Sequence, residues 1–379
     1  MPGKSTSSIA SSNNALQIPV ETATWSEFEL LDSGKGQKLE RWGKKIFVRP
    51  EPKALWRKAS PELWDKADAV CDENERWRTS PGNFELTWEG IKFGLHASQE
   101  SKHLGLFPEQ EPHWRYLKNN LKPDDRVLNL FAYTGAATLI PASIGCKVTH
   151  VDASRPSVDW ARENAKRNNM EAAPIRWIVE DAMTYLRREE KRGSRYEAIL
   201  LDPPSFGRGP KGELWKIENI ADLIDACAKV LSEKPRLVLL TMYNLEASAL
   251  SLANLLQTDK LKGVAGNFEI QIGELALQEQ PTPNRLPTPT LQKGDISALS
   301  RIDRGSAATK ETPQGTREGN NRQGSAPYPA VAQGRQFAEG EGSQGAAPNL
   351  IPPPIGRGPG GGFLPRHLPL SLYGRASWH

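Results

Sequence analysis

Between about residues 122 and 276 the chain alternates two kinds of apolar pattern. Runs of strand length, "RVLNLFA", "KVTHVDA", "IRWIVE", "YEAILLD", "RLVLLTM" and "FEIQIGELAL", are nearly continuous in aliphatic residues. Between them stand longer stretches, among them "AATLIPASIG", "PSVDWARENAKRNN", "DAMTYLRREEKR", "NIADLIDACAKVLSE" and "LEASALSLANLLQ", whose apolar positions are read at helical spacing. Continuous aliphatic strands are buried on both faces, so the alternation predicts an α/β fold with a mostly parallel sheet and helices on both sides. Residues 21–120 read differently. Short apolar runs such as "KIFVRP" and "NFELTWEGIKFGL" mix with turn residues and with seven of the eleven tryptophans, which predicts a β-rich N-terminal accessory region with some helix.

At both ends the pattern stops. Residues 1–20, rich in Ser and Asn, are expected to be a disordered leader. From 279 to 364 Pro, Gly, Ser, Gln and Arg dominate, with too little apolar side chain to offset chain entropy, so a disordered insertion or tail is expected. A strand-like stretch, "RHLPLSLYGRASWH", follows and makes 365–379 a possible last strand, leaving 121–278 as the α/β domain proper.

Composition narrows this further. No apolar run approaches the roughly 18 residues that span a bilayer, so no membrane partner is expected. Three cysteines, Cys71, Cys146 and Cys227, lie far apart; they suit neither a disulfide framework nor a metal site and point to a reducing, cytoplasmic setting. The formal charge is +4, but residues 1–280 carry about −1 and the rest about +5. The folded part therefore offers a polyanion no net attraction, and a nucleic-acid substrate would need a local basic surface.

In an open α/β sheet ligands bind beyond the carboxyl ends of the strands, so the residues ending each strand carry the chemistry. The first ends in "LFAYTGAAT", where Gly135 allows close backbone approach and a helix opens with free N–H groups. The second ends in Asp152, suited to accept both hydroxyls of a ribose. The third ends at Asp181, suited to an exocyclic amine. Either aspartate alone reads as a helix N-cap; three successive strand ends carrying Gly, Asp and Asp read as a nucleoside cradle. "AYTGAA" lacks the glycines of a pyrophosphate-binding loop, which favours S-adenosylmethionine over a nicotinamide dinucleotide. The fourth strand ends in "DPPSF". There Pro203 and Pro204 fix two φ angles, Asp202 and adjacent carbonyls can hold an amine or ring nitrogen in line with a transferable methyl, and Phe206 can stack on a flat base. Arg208 and Lys211, on the loop that follows, could hold an RNA phosphate or simply be solvated.

Over residues 25–278 the ordered set "LLDSGKGQKLERWG", "KHLGLFPEQ", "VLNLFAYTGAAT", "VDASRPSVDWARENAKRNN", "EDAMTYL" and "DPPSFGRGPKGELWKIE" resembles the class I S-adenosylmethionine-dependent methyltransferases, in the branch of the bacterial 23S ribosomal RNA large-subunit enzymes. The resemblance implies a Rossmann-like fold and S-adenosylmethionine as cofactor. It assigns Tyr133, Thr134 and Gly135 to the methionine part, Asp152 to the ribose, Asp181 to the adenine, and Asp202 to Phe206 to the target group, with Ser154, Ala182 and Asp202 also among the cofactor-binding residues. Phe107 and Gln110 of "GLFPEQ" are implied as contacts from a segment closing over the cofactor.

Two departures matter. Cytosine-C5 enzymes of this branch carry a thiolate nucleophile at the end of the fifth strand, where this chain reads "LTMYNLEA" with Tyr243 in that place. Without a thiolate, attack by a weakly nucleophilic carbon is not credible, which leaves nitrogen or oxygen methylation, with a nitrogen of a ribosomal RNA base preferred. Second, family members close the sheet with a hairpin soon after "GELAL", whereas about ninety residues intervene here. Either an insertion separates the two strands or the reading frame changes; closure entropy rises only logarithmically with loop length, which favours the insertion. A small-molecule or protein methyltransferase stays open as an alternative, and so does a non-catalytic cofactor-binding subunit.

Overall fold

The computed structural model describes residues 18–97, 101–243, 247–265, 268–279 and 366–378. Chain order begins with β1 (Val20–Thr22), β2 (Phe28–Gly34), β3 (Gln37–Trp42), β4 (Lys45–Pro50), the short helix α1 (Pro61–Trp64), β5 (Ala69–Val70), β6 (Phe84–Trp88), β7 (Ile91–Leu95) and helix α2 (Glu111–Asn120). The alternating part follows as β8 (Arg126–Leu130), α3 (Ala136–Ser143), β9 (Lys147–Asp152), α4 (Arg155–Arg167), β10 (Ile175–Val179), α5 (Ala182–Arg192) and β11 (Ala198–Leu201). It continues with β12 (Phe206–Arg208), β13 (Leu214–Lys216), α6 (Ile220–Ala228), β14 (Leu237–Tyr243), α7 (Ala249–Leu256), α8 (Asp259–Ala265), β15 (Glu269–Gln278) and β16 (His367–Ser377).

The main sheet has eight strands in the order β1-β15-β16-β14-β11-β8-β9-β10. Strands β14, β11, β8, β9 and β10 run parallel, and β16 runs antiparallel to both β14 and β15. The order reverses between β11 and β9 on either side of β8, so the crevice beyond β8, β9 and β11 is the expected ligand site of such a sheet. The continuous aliphatic strands are buried as their composition requires: Val127, Leu128 and Leu130 of β8 and Ile199 and Leu201 of β11 are closed to solvent. Helix α4 shows why its sequence folds where it does. Ser154 caps it, accepting from Ser157 N at 3.3 Å, a proline stands in its first turn, Lys166 and Arg167 in its last, and Val158, Ala161 and Ala165 form the buried stripe.

The accessory region is a second sheet, β2-β3-β4-β5, and a separate hairpin, β6-β7. Trp25, Trp42, Trp88 and Trp114 are buried in one cluster with Phe28, Phe47 and Phe93, with edge contacts such as Trp88–Trp114 at 5.7 Å between ring centroids. This cluster also takes in Leu139 and Ile140 of α3 and Leu368 and Leu370 of β16, so one core joins accessory and catalytic parts.

Three local features differ from the sequence pattern. Val20, assigned to the leader, begins β1, because residues 20–22 add a parallel strand to the exposed edge of β15. Glu279, assigned to the Pro/Gly-rich stretch, is buried and accepts from Ser33 Oγ at 2.6 Å. The hairpin β12-β13, in a stretch that reads as loop, is held by Trp215, whose Nε1 donates to the Pro204 carbonyl at 2.7 Å. Most of 1–20 and 279–364 lies outside the described residues.

Candidate active site

Strand β8 ends in a strained turn. Phe131 (φ 57°) and Tyr133 (φ 49°) both occupy the left-handed region, an arrangement costing about 1–2 kcal/mol per non-glycine residue that persists where the surroundings fix it. The turn closes on Gly135 at φ +91°, where a Cβ would lie 2.9 Å from that of Ala161, so α4 can pack this closely only against glycine. Tyr133 N donates to Asp152 Oδ2 at 2.8 Å, and Ser154 N donates to Oδ1 at 2.8 Å. Each oxygen of Asp152 thus has one backbone donor and keeps acceptor capacity, with burial holding the carboxyl above its ordinary range. Pairing of Val151 with Leu130 and of Asp152 with Val179 sets the ends of β8, β9 and β10 side by side.

Several residues expected there already have one partner within the protein. Asp181 is buried and caps α5, accepting from Thr184 N at 2.8 Å through Oδ1. The Thr134 hydroxyl donates to the Gly105 carbonyl and its own carbonyl accepts from Asn164 Nδ2, so Thr134 meets a ligand only through backbone. Ser154 is engaged as the cap of α4, and Ala182 opens α5 beside Asp181.

The side of the cleft at the end of β11 is assembled from distant parts of the chain. A cavity at the end of β8 is lined by Phe107, Gln110, Tyr133, Thr134, Gly135 and Asp202, and also by His113, Asn129, Phe131 and Thr241. Asp152, Ser154, Asp181 and Ala182 stand beside it, on the ends of the next two strands and the helices they lead into. Gln110 Nε2 donates to Asp202 Oδ2 at 3.4 Å, and Gln110 Oε1 lies 2.9 Å from His113 Nδ1. With the Gln110 nitrogen facing Asp202, its oxygen accepts from a neutral His113 protonated at Nδ1. Burial and the nearby Arg375 charge hold His113 well below its ordinary value, which fits that state. Burial and the Glu109 carboxyl raise Asp202 to about 7. The Phe107 ring bridges the two halves, 5.6 Å from Tyr133 and 6.5 Å from Tyr243, while Lys53 Nζ lies 5.4 Å from the Tyr243 ring. Pro203 is buried, whereas Pro204, Phe206, Arg208 and Lys211 are exposed beyond it.

Nothing in the sequence singles out His113, Thr241 or Phe131, which also line the cavity. The positive φ of a phenylalanine has no signature in one sequence, and a histidine inside an amphipathic helix reads as core. No cysteine reaches the site. Cys146 Sγ donates to the Lys122 carbonyl at 3.3 Å at the amino end of β9, Cys227 is buried in α6, and Cys71 is buried beside β4. Burial raises Cys71 and Cys146 to about 12 and pushes Cys227 up as well.

Among solved structures, an S-adenosylmethionine-dependent methyltransferase from Agrobacterium tumefaciens is 31% identical, aligns over 95% of this chain and 93% of its own, and superposes with a TM-score of 0.69. The chain belongs to the S-adenosylmethionine-dependent methyltransferases. SMU.776, solved with S-adenosylhomocysteine (SAH), shares this methyltransferase fold at 18% identity and a TM-score of 0.52, covering 69% of the chain and 71% of its own. Ribosomal RNA large subunit methyltransferase I of Pseudoalteromonas translucida is 35% identical over 140 residues, 37% of this chain and 30% of that protein. Methyltransferase K/L of Pseudoalteromonas atlantica is 35% identical over 137 residues, 36% of this chain and 19% of that protein. The chain thus spans well under half the length of these curated relatives; no protein-family model matches it.

The methyltransferase cofactor is S-adenosylmethionine, and the donor set fits it. Among the described residues no cation pairs with Asp152, which retains free acceptor positions, as a ribose diol requires, and the cavity reaches from Gly135 to Asp202. No helix among the described residues is long and apolar enough to cross a membrane.

Proposed function

We propose that this methyltransferase acts in the cytoplasm on a nitrogen of a base in large-subunit ribosomal RNA, without a covalent thiol intermediate. The observation that carries the reading is the acceptor end of the cleft: Asp202 with a carboxyl raised to about 7, Tyr243 where a thiol nucleophile would stand, and all three cysteines buried elsewhere. Asp152 would hold the ribose and Asp181 the adenine, with Ser154 and Ala182 beside them, and Phe107 and the 133–135 turn the methionine part, where Gln110 reaches across from the cofactor to Asp202. Bound there, the cofactor supplies a methyl group on a sulfonium centre. Asp202, with Pro203 and Pro204 limiting its freedom, accepts a hydrogen bond from the target nitrogen and then its proton; near pH 7 a group of this pKa is matched to that transfer. Phe206 stacks on the base, with Arg208 and Lys211 toward phosphate and Tyr243 lining the base pocket. The names of the relatives support ribosomal RNA as the substrate class.

The near-neutral charge of residues 1–280 favours a second reading, a small-molecule or protein acceptor on the same site. One experiment separates them. The protein is incubated with methyl-labelled S-adenosylmethionine and the RNA, protein and small-molecule fractions of a strain lacking it. The expected label is an N-methylated nucleoside from ribosomal RNA. Label as 5-methylcytidine, or only in protein or small molecules, overturns the first reading.

A further inference from the structure

Large apolar side chains exposed to solvent are few among the described residues, and two of the five, Phe206 (39% exposed) and Leu214 (46%), belong to the hairpin β12-β13. The register explains why they share a face. Phe206 pairs with Lys216 and Arg208 with Leu214, while Gly207 pairs with Trp215 between them. Side chains alternate along a strand, so Trp215 points inward, where it is buried against Phe131, and the other four stand on the outer face. Each cation has an apolar residue directly opposite it, and cations and apolar groups lie on opposite diagonals. The loop joining the strands adds Lys211, and the carboxylate of Glu213 is turned back to accept from Lys211 N at 2.8 Å.

We propose that this outer face binds unpaired nucleotides flanking the base to be methylated, with Leu214 and Lys216 as part of the contact surface. The inference rests on the RNA reading above. The face begins four residues after Asp202, so chain bound on it leads directly to the cleft. Its charge complements phosphate: Arg208, Lys211 and Lys216 project there, while the one carboxylate in the loop is engaged locally. Its apolar groups match base faces, which single strands expose and duplexes bury in the stack. A surface meant for A-form duplex would meet sugars and phosphates and have no use for Phe206 and Leu214. A protein partner fits less well. Two apolar side chains flanked by like charges are far short of the roughly 800 Å² per side of a stable interface.

The test uses the full chain, a fluorescent unstructured RNA of about 20 nucleotides and the duplex of the same sequence, with binding measured across a salt series. Three variants are compared with wild type: Leu214→Ser, Lys216→Gln and the pair together. All change exposed residues, and unchanged S-adenosylmethionine affinity shows that each is folded. The proposal expects wild type to prefer the single strand. Leu214→Ser should weaken single-strand binding several-fold with the salt slope intact, and Lys216→Gln should lower the slope by about 0.7, one phosphate contact. The double variant should lose about tenfold and raise KM for RNA with little change in kcat. Unchanged single-strand affinity, equal binding of duplex, or loss of self-association or protein binding with RNA affinity intact each overturns it. If RNA is methylated with unchanged KM by wild type and the double variant, the surface assignment fails and the RNA reading stands. If wild type methylates no RNA, the reading fails and the proposal falls with it.

Discussion

The two halves of the cleft are built by different means. On the donor half, at the ends of β8, β9 and β10, each carboxylate is held by backbone N–H groups from within a few residues or the neighbouring strand: Asp152 by Tyr133 and Ser154, Asp181 by Thr184. On the acceptor half, at the ends of β11 and β14, side chains meet side chains brought from far away, Gln110 with Asp202 and His113 with Thr241. Behind them the accessory sheet supplies buried charge. Arg49 is clasped by Glu40 at 2.6 and 2.9 Å, Lys38 lies 3.4 Å from Glu51, and burial raises the Glu109 carboxyl that in turn acts on Asp202. A backbone-built site binds a constant ligand with little dependence on side-chain identity. A site built from long-range side-chain contacts can be retuned by single substitutions, which suits the role proposed for this half, setting specificity and proton affinity toward the acceptor.

The largest effect should come from Asp202→Asn. If its carboxylate takes the proton, turnover should fall by about 10²–10³, within the range for a general base, with S-adenosylmethionine affinity nearly unchanged. For wild type, kcat/KM should rise with pH through about 7, because the ionised form is the active one and the pKa is raised to that point. The variant should show no inflection there. Stability should move the opposite way. A carboxyl whose folded pKa is raised binds its proton more tightly folded than unfolded, so its destabilising influence grows as pH climbs from about 4 toward 7 and is full above that. Asp202→Asn should therefore melt higher than wild type at pH 8 and about equally at pH 4. Equal melting at both would remove the burial argument from Asp202.

On the donor half, Asp152→Ala should weaken S-adenosylmethionine by about 1.5–3 kcal/mol, the span for hydrogen bonds to a charged group. Calorimetry reads this directly. Turnover at saturating cofactor should change far less than with Asp202→Asn, and a larger fall there would erase the division between the halves.

This division also explains which parts could be read from the sequence. The donor half is local: a glycine turn, an aspartate ending the next strand and another ending the third each announce themselves within a strand-turn-helix unit. Strand and helix pattern alone gave the parallel sheet for the same reason. From the residues alone the acceptor half was legible at Asp202–Phe206, where prolines mark the backbone, and at Arg208 and Lys211 of the loop that follows; Phe107, Gln110 and Tyr243 came only with the family resemblance. His113 and Thr241 are separated by 128 positions and nothing in one sequence pairs them. Nor does it reveal β12-β13, whose short strands carry charge and glycine and are fixed by the Trp215 anchor.

A smaller and sharper test of the acceptor network is Gln110→Glu. The change keeps size and replaces the amide that donates to Asp202 by a second carboxylate, so the pair resists losing its last proton. The pH at which kcat/KM rises should move up by about one unit or more, with Gln110→Ala shifting it less. A profile fixed near 7 in both variants would mean that the 3.4 Å contact carries no weight in the working enzyme.

The smallest expected effect is that of removing every thiol. Tyr243 occupies the strand end facing the cleft, where burial and the nearby Glu51 and Glu109 carboxylates push its phenol further above neutrality, so it is no nucleophile. The cysteines are buried, and their thiols are raised by burial rather than activated. A Cys71→Ser, Cys146→Ala, Cys227→Ala variant should hence keep its turnover within a few-fold. Its melting point should drop, mostly through Cys227, which is fully enclosed between α6 and the sheet and leaves a small cavity as alanine. RNA containing 5-fluorocytidine sharpens the same point: an enzyme that adds a thiolate to the ring stays attached to it, because fluorine replaces the proton that must leave. This methyltransferase should run free of such RNA on a denaturing gel. A retained complex, or a folded triple variant without activity, would bring a cysteine into the chemistry and make the acceptor half a covalent site after all.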